Sequence, residues 1–195
     1  MLNNRLQELT QKENPPFIYG YSGYNNMVTT KDAFMSLAMA PNGKILEALE
    51  SLLNENQRVK KHGFTASELK RAKEEIISKT KKQYNERNTQ KNTHYVWQYF
   101  SHFLQNEPAP GIEFEYAYVQ KYLPKVQVNQ INKLASEWIR EENVVATVTG
   151  PEIEEIPMPT EEQVLSVFEK CRTAKIEAYE DNVSDAPLVT ALPPA

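Results

Sequence analysis

At 195 residues the chain has room for one domain with an attached tail, and its 40% hydrophobic and 10% aromatic content supports a sizeable core, which excludes general disorder. Its 22 basic and 26 acidic residues leave a net charge of −4, which argues against a dominant nucleic-acid or anionic-membrane surface. A single cysteine, Cys171, rules out an intrachain disulfide and says nothing of compartment; no apolar run is long enough to span a bilayer, and no signal peptide is visible, Met1-Leu2 being followed at once by Asn3-Asn4-Arg5.

Leu2, Leu6 and Leu9 stand at helical spacing, with no capping residue ahead, and Asn14-Pro15-Pro16 ends that helix because tandem prolines cannot continue it. Phe17, Tyr19 and Tyr21 alternate with Ile18, Gly20 and Ser22 as a strand. Asn25-Asn26 and Thr29-Thr30 mark its far end or a turn. A second strand follows with Met35, Leu37 and Met39 on one side, and the pair reads as an antiparallel hairpin. Pro41-Asn42-Gly43 opens a helix with an Ile45, Leu49, Leu52 and Val59 stripe, and Gly63 stops it. Thr65-Ala66-Ser67-Glu68 is a capping box for the next helix, striped by Leu69, Ala72, Ile76 and Ile77.

An aromatic helix around Tyr95, Trp97, Tyr99, Phe100 and Phe103 is expected to face a core. Pro108-Ala109-Pro110-Gly111 is a loop. A helix through Phe114, Ala117, Tyr118 and Tyr122 stops at Pro124, and another carries Ile131, Leu134, Ala135, Trp138 and Ile139. Val144–Val148 predicts a third strand, bounded by Gly150-Pro151. Thr160-Glu161-Glu162-Gln163 is a second capping box, before a helix with Val164, Val167, Phe168 and Cys171. From Ile176 the composition turns to a linker ending Pro193-Pro194. The order is α+β, with an antiparallel sheet packed against several helices. Three strands make a thin sheet for so many helices, and a further strand is expected upstream of Met1.

Chemistry is sparse. His62, His94 and His102 fit neither H-x-x-E-H nor H-E-x-x-H, and the packing or surface reading outweighs the ligand reading for all three. Gly20-Tyr21-Ser22-Gly23 falls short of a nucleophile elbow, Cys171 sits at a core-like helical position, and Gly43-Lys44 lacks the upstream glycine of a phosphate loop. Glu152, Glu154 and Glu155 read as a solvated charge run. Lys79, Lys81, Lys82, Arg87 and Lys91 read as a solvated helix face in preference to a single-strand nucleic-acid groove. No catalytic or metal-ligating residue is therefore assigned, and no substrate-binding residue can be named.

Asn3-Asn4-Arg5-Leu6-Gln7-Glu8-Leu9 resembles the R-L-x-x-L helix of the pitrilysin/insulinase family of zinc metallopeptidases. Gly63-Phe64-Thr65-Ala66-Ser67-Glu68-Leu69-Lys70-Arg71-Ala72-Lys73 is similar to that family's G-x-T-x-x-E-L-x-x-A-K string, and the Val-Thr-Gly-Pro ending at Pro151 fits as well. The resemblance covers residues 1–151, with 152–175 as a C-terminal helix segment and 176–195 as a linker toward the second half of a parent protein.

The resemblance implies a clamshell of two halves, each a pair of similar α+β domains, with zinc held by the first domain. This chain lacks the zinc motif and so resembles a non-catalytic second domain, without the family's opening strand and helix. The positions matching an arginine and a tyrosine that assist catalysis in the family's last domain are Thr10 and Phe17, which carry neither charge nor hydroxyl for those roles. That places the resemblance in the first half. The implied role is to help enclose a peptide substrate within a zinc endopeptidase. There would be no cofactor in this chain, zinc in the parent, the remaining domains as partners, no nucleic acid and no membrane span. An exposed sheet edge would promote self-association, and a periplasmic or otherwise exported compartment follows from the resemblance alone. The alternative is a scaffold domain of a non-peptidase relative, acting through protein–protein contact.

Overall fold

The computed structural model describes residues 1–28, 30–151 and 154–181. Among them the order is α1 (Leu2–Thr10), β1 (Tyr19–Val28), β2 (Lys31–Met39), α2 (Ile45–His62), α3 (Ala66–Asn85), α4 (Asn92–Gln105), α5 (Ile112–Tyr122), α6 (Val128–Trp138) and α7 (Glu161–Thr173). The class is α+β, as the order of elements led one to expect.

β1 and β2 pair antiparallel, with Tyr19 opposite Met39, Tyr21 opposite Leu37 and Ser22 opposite Ser36, and a register shift between Asn26 and Val28. Alternation splits the hairpin into two faces. On the inner face Ser22, Ser36 and Asn56 of α2 form a closed ring of bonds: Ser22 Oγ donates to Asn56 Oδ1 at 3.1 Å, Asn56 Nδ2 donates to Ser36 Oγ at 2.7 Å, and the two hydroxyls lie 2.8 Å apart. Every member has a partner, so the bonds offset the cost of desolvating the ring while it fixes the hairpin on α2.

The core joins Leu2, Leu6, Phe17, Ala48, Leu52, Val59, Ala135 and Ile139, with Leu9, Phe34 and Phe64 packed against it. Leu6 and Phe17 are fully buried. α2 and Phe17 supply the cover for the apolar side of α1. A Leu6→Ala truncation would cost about 2–5 kcal/mol, by lost burial plus the cavity left behind. α7 sets Val167 and Cys171 against α2, and Tyr84 of α3 stacks on Tyr116 of α5 at 4.9 Å.

The expected third strand is corrected. Val144–Val148 forms no ladder among the described residues, and Val145 is 90% exposed. Strand propensity does not pair a segment by itself; the run has to be brought alongside an edge, and the described sheet is the β1–β2 hairpin alone. The aromatic helix does not face a core either. Val96, Trp97, Tyr99, Phe100, Phe103 and Leu104 of α4 are all exposed, because α3 packs on α5 and leaves α4 outside that pair. Asn106, in the left-handed region at φ 55°, ends α4.

Candidate functional site

Two features stand out when the candidate residues are followed into the fold: a buried charge cluster at the meeting of α1, α2 and α3, and an exposed apolar sheet face.

The cluster is set by local chemistry. Gly63 at φ 72° ends α2, a conformation that favours glycine, and a Cβ there would lie 2.4 Å from Asn132 Cγ. Asn132 of α6 fills that space and bonds the next residue both ways, accepting from Phe64 N at 2.7 Å and donating to Phe64 O at 3.2 Å. Two residues on, Thr65 caps α3 in a full capping box: its hydroxyl accepts from Glu68 N, and Glu68 Oε2 accepts from Thr65 N at 2.7 Å. The turn thus aims the Glu68 carboxylate back toward α1.

Arg5 meets it there. Nε donates to Glu68 Oε1 at 2.7 Å, Nη2 donates to Glu68 Oε2 at 2.8 Å and to Gly63 O at 3.0 Å, and Nη1 donates to Glu55 Oε1 at 3.3 Å. Glu55 also accepts from Arg58 Nε at 3.0 Å. The Arg5 guanidinium lies between two rings, 5.1 Å from the Phe64 centroid and 4.1 Å from the Tyr179 centroid. Arg5 is 2% exposed and Glu68 4%. Burial alone would push the Glu68 carboxyl up, but the Arg5 and Thr65 hydrogen bonds and the Arg5 charge outweigh it and hold the group below its ordinary value. Two arginines against two glutamates neutralise the cluster. The Glu68 carboxylate is held ionised by the Arg5 guanidinium, an arrangement suited to locking three helices together and not to passing protons.

The residues weighed for chemistry are scattered. His62 Nε2 lies 2.7 Å from Ile176 O, and His102 Nδ1 lies 2.7 Å from Glu107 O. The His94 side chain and Glu152 fall outside what is described; Glu154 and Glu155 are exposed. Cys171 is buried, and burial raises its thiol above the ordinary value, so it is no ready thiolate. Thr10 Oγ1 donates to Gln7 O, and Phe17 is buried in the core. Among the basic residues, Arg87 pairs with Glu113 at 3.0 Å and stacks on Tyr84, while Lys79, Lys81, Lys82 and Lys91 are solvated. Among the described residues no group of three or more His, Cys, Asp or Glu is placed to hold a metal ion, so the residues described do not fit a zinc site. No described helix is long and apolar enough to cross a membrane.

The second feature is the outer face of the hairpin. Tyr19, Met35, Leu37 and Met39 are 50, 44, 58 and 58% exposed, with Tyr21 half-buried between them. On the opposite, inner face Tyr24 stacks on Trp138 of α6 at 4.4 Å. An apolar sheet face of this kind is suited to covering or guiding another polypeptide.

No protein-family model matches the chain. A zinc protease PQQL-like protein from Arabidopsis thaliana is 25% identical over 132 residues, which is 68% of this chain and 11% of that protein. The solved structure of the first half of the periplasmic protease PqqL from Escherichia coli superposes with a TM-score of 0.69 at 17% identity, over 92% of this chain and 39% of that one.

The chain is similar to zinc proteases of the pitrilysin/insulinase family.

The structure of whole PqqL gives a TM-score of 0.72 at 17% identity, over 97% of this chain and 21% of that protein. At that identity the two PqqL structures establish the shared fold. The chain thus spans about a tenth of the curated relative it matches, and about two fifths of the PqqL first half. The resemblance read in the two motif strings holds, and the strings meet in space: the arginine of one is bonded to the glutamate of the other. Sequence reasoning missed that pairing and the Tyr179 contact. The signal available was an arginine and a glutamate, each inside an apolar helical stripe, where an unpaired charge would be costly.

Proposed function

We propose that this chain is the non-catalytic second domain of the first half of a zinc metalloendopeptidase, and that it helps to enclose the peptide substrate. The observation that carries this reading is the superposition on the PqqL first half over nearly all of this chain and only 39% of that structure, combined with described residues that do not fit a metal site. Zinc in another domain of the parent would activate the attacking water. This domain contributes wall surface, and the outer hairpin face around Leu37 is the surface suited to it. An exported, periplasmic setting is part of the proposal, by analogy with PqqL. So is self-association of the isolated chain, through hairpin edges that carry no neighbouring strand among the described residues.

Metal analysis of the purified chain and a quenched-peptide assay test the first part. The expected outcome is sub-stoichiometric zinc and no cleavage. One zinc per chain with chelator-sensitive cleavage overturns it. The parent gene should encode H-x-x-E-H and a distal glutamate upstream. Their absence there would favour a scaffold domain working through protein contact, a role for which the exposed aromatic face of α4 is also suited.

A further inference from the structure

The sequence reads as a linker from Ile176, yet residues 174–181 lie along the surface of α1, α2 and α3, with contacts from Ala174, Ile176, Glu177, Tyr179 and Asp181. Three carbonyls of the segment face the last turns of α2: Lys61 Nζ donates to Ala174 O at 2.9 Å, His62 Nε2 lies 2.7 Å from Ile176 O, and Arg58 Nη1 donates to Glu177 O at 3.0 Å. Further along, alternate side chains turn inward. The Tyr179 ring covers the Arg5 guanidinium at 4.1 Å, and its hydroxyl lies 2.9 Å from both Glu8 carboxylate oxygens. The Asp181 carboxylate accepts from Arg71 Nη1 at 2.8 Å and from Ser67 Oγ. Ala178 and Glu180, between and beside them, face solvent.

We propose that residues 174–181 form a clasp, which docks across α1, α2 and α3 and holds this segment on the helices in solution. The docking is charge-complementary: carbonyl oxygens and an aspartate on the segment meet Arg58, Lys61 and Arg71 on the helices. It also completes the Arg5 cluster, since Tyr179 forms one wall of the arginine's slot and Phe64 the other. Burial, followed by the Glu8 contact, pushes the Tyr179 hydroxyl up to about 12, so it remains a protonated donor to Glu8 throughout the neutral range. A free tether of this length would let residue 181 wander over roughly 15 Å. The clasp removes that freedom and ties Asp181 to the helix junction that Arg5 locks.

The test uses the full chain with Cys171→Ala and Ala178→Cys, carrying a nitroxide at the exposed position 178. Digestion of the unsubstituted chain by a glutamate-specific protease, which cuts after Glu177 and Glu180, runs in parallel. The expected result is an immobilised nitroxide spectrum and slow cleavage. In Tyr179→Ala combined with Asp181→Ala the spectrum should sharpen and cleavage accelerate roughly tenfold, with helical circular dichroism retained. A mobile label in the chain with Tyr179 and Asp181 intact overturns the proposal. So does a label equally held in the double variant. Should the double variant fail to fold, Asp181→Asn alone removes only the rim contact. Sharpening in that variant supports the clasp, and an unchanged spectrum overturns it.

Discussion

Arg5 and Glu68, 63 residues apart in sequence, meet in a two-pronged bond of 2.7 and 2.8 Å that is almost wholly shut off from water. Removing Glu68 leaves the buried Arg5 charge with only the longer 3.3 Å contact to Glu55 and the Gly63 carbonyl, so Glu68→Ala should destabilise the chain by about 3 kcal/mol. Urea midpoints for Glu68→Ala and for Arg5→Met with Glu68→Leu separate the penalty of a stranded charge from the net value of the pair. The double apolar variant should be closer to the original protein than the single one.

Glu68 also sets an acid dependence. Its folded-state carboxyl titrates below the ordinary 4.5, so the unfolded chain takes up the proton first as pH falls. The contribution is fully present above that ordinary value and is lost as pH drops from there through the lower folded-state value. Urea midpoints followed from about pH 6 to about pH 3 should fall for the original protein and fall less steeply for Glu68→Gln.

Gly63→Ala meets two penalties at once, a left-handed φ of 72° and the Asn132 side chain at 2.4 Å. Its cost should exceed the roughly 1 kcal/mol of a strained glycine replacement alone. Asn132→Ala relieves the clash but leaves Phe64 N and O without their partner. The combined variant should therefore recover only part of the loss in thermal unfolding.

Thr65→Ala and Thr160→Ala each remove a cap whose hydroxyl accepts from the residue three positions on. Each should cost about 0.5–2 kcal/mol, with Thr65 at the upper end because its box also orients Glu68. Denaturant midpoints that fail to move would contradict the capping geometry.

How far each element was readable follows from the range of the interaction that fixes it. The Gly63 stop and both capping boxes are decided within a few residues, and they stand where the sequence puts them. The hairpin is equally local. Val144–Val148 has the composition of a strand, but pairing needs an edge supplied from elsewhere. The aromatic run of α4 correctly announces a helix, while periodicity does not say which way its apolar side faces. The Arg5–Glu68 pair and the Tyr179 contact span 63 and 171 residues or thereabouts, beyond any local pattern.

The outer hairpin face should strengthen the association that the open hairpin edges promote. Leu37 is 58% exposed opposite Tyr21, so Leu37→Lys should leave stability within about 0.5 kcal/mol while reducing self-association in sedimentation at high concentration.

That same face carries two thioethers, Met35 and Met39, both open to solvent on one strand of the hairpin. Peroxide converts such side chains to sulfoxides, which are polar and chiral, and dedicated reductases reverse the change. Because Phe34, Ser36 and Ala38 point the other way, the oxidised strand keeps its inner packing while its outer surface turns from oily to water-loving. Oxidation at these two positions would therefore change what the hairpin presents to a neighbouring polypeptide while leaving the side chains that pack on α2 in place.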